Sequence, residues 1–107
     1  RPGSREEPVL TWGDIELDPA LGRVRRGGRD LALSAREFAL LRTLMSNSGR
    51  LMGRVRLYES VWGIENDGTS NVLEVYVNYL RNKLEEQGEP RVIHTVRGRG
   101  YIFGVKP

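Results

Sequence analysis

The sequence predicts an α+β domain: a four-stranded antiparallel sheet of short strands, then three helices, then a C-terminal β-hairpin. Three observations predict it. Residues 9–33 alternate apolar and polar side chains between Gly- and Pro-containing breaks, which is strand-and-turn punctuation. Residues 34–86 repeat their apolar side chains at helical spacing in successive blocks. Near the C-terminus, two runs rich in β-branched and aromatic residues flank Gly98-Arg99-Gly100.

Length and composition narrow the function classes. At 107 residues the chain supports one domain with one core. With no Cys there is neither a disulfide nor a thiolate metal site, and one His cannot build a His cluster. No metal and no cofactor are therefore expected. No apolar run approaches the ~20 residues of a membrane span, and no signal peptide is visible. A cytoplasmic protein without a membrane partner is the expectation. Net charge is +3 and unevenly spread, with acids gathered at 65–67 and 85–89 and bases at 23–29, 50–56 and 97–99. Clusters of like sign suggest a field with a direction, of the kind that suits nucleic acid.

Residues 1–8 are polar, charged and carry two prolines, which reads as a linker stub. The domain proper then covers 9–107. Strands are expected at 9–12, 15–18, 23–26 and 29–33. The turns between them hold Gly13-Asp14, residues 19–22 and Gly27-Gly28. The glycine pair is a strong hairpin signal, because Gly takes positive φ without steric cost. Trp12, Ile15, Leu17, Val24, Leu31 and Leu33 are candidates for the buried face.

Ser34 followed by Glu37 forms a capping box and starts the first helix. Leu33 and Phe38 are spaced as a hydrophobic staple across that start. Phe38, Leu41, Leu44 and Met45 make its apolar face, and Asn47-Ser48-Gly49 stops it. A second helix is expected at 54–62, with Leu57, Tyr58, Val61 and Trp62 inward and Gly63 at the stop. A polar loop of Ile64, Glu65, Asn66, Asp67, Gly68 and Thr69 follows.

The third helix, about 70–86, carries the functional reading. Leu73, Val77, Leu80 and Leu84 fall on one stripe at helical period. The opposite face collects Asn71, Val75, Asn78, Tyr79 and Asn82. A merely solvated face would normally carry Lys and Glu. Amides and hydroxyls can instead read base edges in a DNA major groove, and Val can contact a thymine methyl. Asn pairs bidentately with adenine, each good pair discriminating by ~1–3 kcal/mol. The hairpin then places Arg97 and Arg99 at its tip, about 95–103.

Two helices, a polar loop, a longer helix and a basic hairpin make a winged helix-turn-helix. At this point the sequence resembles the OmpR/PhoB-type effector domains of bacterial response regulators. The matching stretches are Leu33-Ser34-Ala35-Arg36-Glu37-Phe38-Ala39-Leu40-Leu41, Val61-Trp62-Gly63, Val75-Tyr76-Val77-Asn78-Tyr79-Leu80-Arg81-Asn82-Lys83-Leu84 and Ile93-His94-Thr95-Val96-Arg97-Gly98-Arg99-Gly100-Tyr101. Four separate motifs in this order make the resemblance specific. It implies a transcription factor of a two-component phosphorelay, with a phosphorylatable receiver domain before this one. It implies direct-repeat half-sites on double-stranded DNA, bound by head-to-tail pairs of a domain that is monomeric alone. It also implies contact between RNA polymerase and the loop Ile64 to Thr69.

Site roles follow from both readings. Base contacts are expected from Asn71, Val75, Asn78, Tyr79 and Asn82. The resemblance implies that Arg97 enters the minor groove. It also places Trp62, Arg81, Thr95 and Tyr101 against the phosphate backbone, with Tyr76 beside them in the matching stretch. Arg54 is expected on a phosphate, and Arg99 adds a second cation at the tip. Tyr101 suits the hairpin core equally well. The chain departs from the family where many members carry arginine and it has Asn71, Asn78 and Tyr79. Gly53 likewise replaces the usual Ser cap of the second helix, which weakens that cap by a few tenths of a kcal/mol.

A different class of function is a winged-helix protein–protein interaction module that does not bind DNA. Asn78→Ala combined with Arg97→Ala discriminates the two, because such a module has no DNA binding to lose. An enzyme is not expected and no catalytic residue is assigned. Arg97-Gly98-Arg99-Gly100 lies between two strands, whereas a dinucleotide loop opens a helix. Glu85 and Glu86 are neighbours on a helix surface and do not converge on a cleft.

Overall fold

A computed structural model describes residues 7–63 and 70–107. The elements are β1 (Leu10–Trp12), β2 (Ile15–Asp18), β3 (Arg23–Arg26), β4 (Arg29–Leu31), α1 (Ala35–Ser46), α2 (Arg54–Val61), α3 (Val72–Leu84), β5 (Ile93–Val96) and β6 (Gly100–Phe103). The N-terminal strands form a meander in the order β1-β2-β3-β4. Its register aligns Leu10, Leu17, Val24 and Leu31 in one cross-strand row and Trp12, Ile15, Arg26 and Arg29 in the next. Side chains two residues apart share a face, so both rows face the helices. Ile15, Leu17 and Val24 are buried, while Trp12, Leu31 and Leu33 pack partly buried against the core.

The basic run at 23–29 does not form an outward field. Arg23 pairs with Asp30, Arg26 with Asp14, and Arg29 with Glu86 and Glu89. Arg26 is only 3% exposed. Strand alternation turns it inward beside Val24, where it meets both a carboxylate and a helix terminus.

Helix α1 begins as expected. The Glu37 N–H donates to Ser34 Oγ at 3.2 Å, and the Ser34 N–H donates to Glu37 Oε1 at 2.7 Å. Leu40, Leu41, Leu44 and Met45 are buried, and Phe38 lies at the margin of the core. Helix α2 ends one residue earlier than expected, at Val61, with Trp62 as its C-cap. Gly63 has φ +97 and donates its N–H to the Tyr58 carbonyl at 3.0 Å. Gly53 caps α2 without a side-chain bond, as the missing hydroxyl requires.

Helix α3 is two residues shorter at each end than the expected 70–86, with Asn71 as N-cap. Its apolar stripe is as expected: Leu73, Val77, Leu80 and Leu84 are all buried. The hairpin pairs Thr95 with Tyr101 and Val96 with Gly100. Met52, between α1 and α2, adds a third line to it. The Met52 N–H donates to the Tyr101 carbonyl at 2.8 Å, and the Tyr101 N–H donates to the Met52 carbonyl at 3.0 Å. Gly100 is required there: it has φ +145, and a Cβ would lie 2.1 Å from the Met52 carbonyl oxygen.

Candidate nucleic-acid interface

Three anchors fix α3 and leave one face of it outward. The first is at its N-terminus. The Tyr58 hydroxyl donates to the Ser70 carbonyl at 2.7 Å and accepts the Leu73 N–H at 3.1 Å. It thereby satisfies one of the orphan donors that every helix start leaves. Arg54 closes the same corner with a two-pronged bond to Glu74, at 2.8 and 3.1 Å, and donates to the Ser70 carbonyl at 3.1 Å. The hydrogen bond from Arg54 holds the Glu74 carboxyl below its ordinary pKa, and Glu74 in turn raises that of Arg54.

The second anchor is Arg81, in the last turn. Arg81 donates to the Ile93 carbonyl from Nε and Nη2, at 2.9 and 2.7 Å, and from Nη2 to Thr95 Oγ1 at 2.7 Å. Its guanidinium also lies 5.9 Å from the centre of the Tyr101 ring. Burial, then the neighbouring Arg91 charge, lowers its pKa from the usual guanidinium value. The third anchor is at the C-terminus. Arg26 Nη1 donates to the Leu84 carbonyl at 3.1 Å and Arg29 Nη1 to the Lys83 carbonyl at 3.3 Å. Cations there complement the negative end of the helix dipole. Lys83 reaches the Ala32 carbonyl and Glu37 Oε1, both at 2.7 Å. Burial works against ionisation of Glu37, but the Lys83 and Ser34 hydrogen bonds outweigh it and leave its pKa lowered.

Asn71, Asn78, Tyr79 and Asn82 are exposed on the outward face, with Val75 half-buried among them. Among the described residues, no hydrogen bond engages the side chains of these three asparagines or the Tyr79 hydroxyl. The three charged residues of α3, Glu74, Arg81 and Lys83, all turn sideways into intramolecular contacts. An aromatic ladder runs from the core to this face. Tyr58 and Trp62 lie 5.3 Å apart, Trp62 and Tyr76 5.4 Å, and Tyr76 and Tyr79 5.4 Å, between ring centres. Arg36 caps the Trp62 ring at 5.8 Å.

Arg97, Gly98 and Arg99 stand exposed at the hairpin tip, where Gly98 has φ +72. Neither arginine makes an ion pair among the described residues. Arg99 and the exposed Arg56 line one open groove between the tip and the start of α2. Arg97 and Thr95 line another, with Arg54 and Glu74, between the tip and α3.

The residues expected on the phosphate backbone therefore divide. Thr95 and Arg99 are exposed, as is Arg97, which is expected in the minor groove, and Trp62 and Tyr76 are half-buried. Arg54 and Arg81 tie helices and hairpin together. Tyr101 is 6% exposed on the inner face of the hairpin, and burial raises its phenol pKa. The loop Ile64 to Thr69 lies outside the described residues. The sequence places Tyr58 only in the core of the second helix and gives Arg26 and Lys83 no role of their own, although all three hold α3. Their spacing identifies core or surface, and the partner each finds is distant in sequence.

Among the described residues no group of His, Asp and Glu could hold a metal ion, and no helix is long and apolar enough to cross a membrane. The family model described as "Transcriptional regulatory protein, C terminal" matches residues 28–103. Response regulator MprA of Mycolicibacterium vanbaalenii is 47% identical over 105 residues, which cover 98% of this chain and 46% of MprA. The chain thus spans about half the length of the curated relatives it matches. The structure of the Klebsiella pneumoniae RstA DNA-binding domain in complex with the RstA box aligns with TM-score 0.82 and 33% identity, covering 92% of this chain and 98% of that one. The DNA-binding domain of CpxR from E. coli aligns with TM-score 0.80 and 29% identity, covering 92% and 97%. The winged helix-turn-helix geometry and these matches agree: this chain belongs to the transcriptional regulatory protein C-terminal family, as an effector domain of the OmpR/PhoB type.

Proposed function

We propose that this domain binds double-stranded DNA sequence-specifically, as the output half of a response-regulator transcription factor. The observation that carries this is the exposed, hydrogen-bond-capable and uncharged face of α3 beside a hairpin tip bearing two arginines. In this reading α3 enters the major groove and Asn71, Val75, Asn78, Tyr79 and Asn82 meet base edges. Arg97 enters the adjacent minor groove. Thr95, Arg99, Trp62 and Tyr76 approach phosphates, which set register and not sequence. Arg54, Arg81 and Tyr101 hold helix and hairpin in place behind that contact line.

The family supports the wider assignment. A receiver domain precedes this domain in the full-length protein, and its phosphorylation raises the population of pairs on direct-repeat half-sites. Pairing on adjacent half-sites supplies affinity that one domain lacks. Residues 64–69 are assigned to RNA polymerase contact, and the protein to the cytoplasm.

The test is retardation of a promoter-derived duplex across salt concentrations. Counterion release predicts a steep loss of affinity between about 50 and 200 mM salt. Retention that ignores salt, or no retention at any salt, would overturn the proposal.

A further inference from the structure

We infer that the half-site read by α3 is built from A·T pairs, with adenine and thymine, and not guanine, as the bases its side chains discriminate. This rests on the proposed DNA-binding function and specifies its ligand.

The argument begins with the outward stripe. At 100° per residue, Asn71, Val75, Asn78, Asn82 and Tyr79 occupy about 100° of the helix circumference. Roughly three or four side chains of a recognition helix reach base edges. Those available here are amides, one β-branched hydrocarbon and a phenol. Guanine is read chiefly by a bidentate Arg or Lys on O6 and N7, and cytosine by a carboxylate on its N4 amine. Every α3 side chain able to do either is turned away. Glu74 is held by Arg54, Arg81 by the Ile93 carbonyl and Thr95, and Lys83 by Glu37 and the Ala32 carbonyl.

What remains matches adenine and thymine. An Asn amide accepts from adenine N6 and donates to N7, the two-point pair that no other base offers it. Val75, half-buried in the stripe, offers methyl groups of the kind that contact a thymine C5 methyl. Tyr79 adds a second apolar surface, and its ring is steadied against Tyr76 at 5.4 Å. The hairpin tip points the same way: A-tract minor grooves are narrow, and their enhanced negative potential draws in arginine such as Arg97.

The experiment is selection of bound duplexes from a randomised pool by this chain. The enriched sites are then remade with 7-deazaadenine, which lacks N7, with uracil, which lacks the methyl, and with 7-deazaguanine. The expected result is enrichment of A·T pairs at the α3 positions. Weakening on the order of tenfold is expected from 7-deazaadenine or uracil and none from 7-deazaguanine. Asn78→Ala should abolish the 7-deazaadenine effect at one position while the variant keeps wild-type circular dichroism. Enriched sites with G·C pairs under α3, or loss of binding with 7-deazaguanine, overturn the inference and leave DNA recognition standing. Absence of any enriched or retarded duplex overturns the DNA-binding reading itself, and the inference with it.

Discussion

Arg81 Nη2 donates to Thr95 Oγ1 at 2.7 Å, so one guanidinium joins the last turn of α3 to the first strand of the wing. The same group also donates twice to the Ile93 carbonyl. The separation of α3 and the hairpin is thereby set by a planar fork that lysine cannot reproduce. Arg81→Ala is expected to destabilise the domain by about 1–2 kcal/mol, the lower range for charge-assisted bonds because the group is partly solvated. Arg81→Lys should recover less than half of that. Urea denaturation reads the loss, and faster amide exchange at Thr95 and Val96 locates it in the wing. A residue acting only on phosphate would leave both measurements unchanged.

Gly100 and Gly98 form a second, internally controlled test. Gly98→Ala adds a Cβ in open space at φ +72 and should cost about 1–2 kcal/mol, the left-handed penalty alone. Gly100→Ala meets the Met52 carbonyl as well, so the Met52–Tyr101 bridge must open. Its expected cost exceeds that of Gly98→Ala by at least about 2 kcal/mol. Denaturation midpoints of the two variants check the ranking.

The Tyr58 hydroxyl caps the start of α3, where Asn71 makes no side-chain bond and Ser70 Oγ takes only the Val72 N–H, at 3.5 Å. Tyr58→Phe keeps the ring and leaves the Leu73 N–H buried without a partner. A loss of about 1–2 kcal/mol is expected, with amide exchange at Leu73 accelerated ahead of Leu80.

Acid should destabilise the domain through its paired carboxylates. Glu37, Glu74 and Glu89 all have folded pKa values below their ordinary ones, and the hydrogen bond from Arg29 takes Glu89 from 4.5 to about 2. A carboxyl depressed in the fold contributes stability above its unfolded pKa and loses it as pH falls through the folded one. Stability should therefore be flat near neutrality and decline between about pH 5 and pH 2. Glu89→Gln should flatten the lower part of that decline, as measured by urea midpoints at each pH.

Arg97→Ala should reduce the slope of log affinity against log salt by about 1, with weakening nearly uniform across sequences if the side chain acts on phosphate. Weakening confined to sites with an A-tract beside the α3 half-site would place it in the minor groove. Titrations of matched duplexes at several salt concentrations separate these outcomes.

Elements whose signal is local were legible in the sequence. The α3 stripe, the Ser34–Glu37 box and the Gly27-Gly28 turn depend on spacings of a few residues, and all three stand in the structure. Helix ends were off by one or two residues, because fraying and cap geometry follow from what packs there. The 23–29 arginines were read as a surface field, since charge alone predicts exposure. Tertiary partners far along the chain, Asp14, Leu84 and Glu89, draw Arg26 and Arg29 inward. The same blindness hid Tyr58 as a cap and gave Arg54 and Arg81 to phosphates without their internal duties. The outward face of α3 is legible for the opposite reason: its three asparagines and the Tyr79 hydroxyl have no internal hydrogen-bond partner to find among the described residues.

The chain's two tryptophans sit in unlike surroundings, Trp12 edge-on to Phe103 and Trp62 two rings away from the exposed Tyr79. A ligand that settles on Tyr79 is expected to disturb the stack that runs through Tyr76 and Trp62 to Tyr58, while Trp12 keeps its buried aromatic neighbour. Trp62 is accordingly expected to serve as an intrinsic optical probe of occupancy of this face, with a Trp62→Phe variant as the silent control. Binding is then measurable by fluorescence without attaching a dye to either molecule.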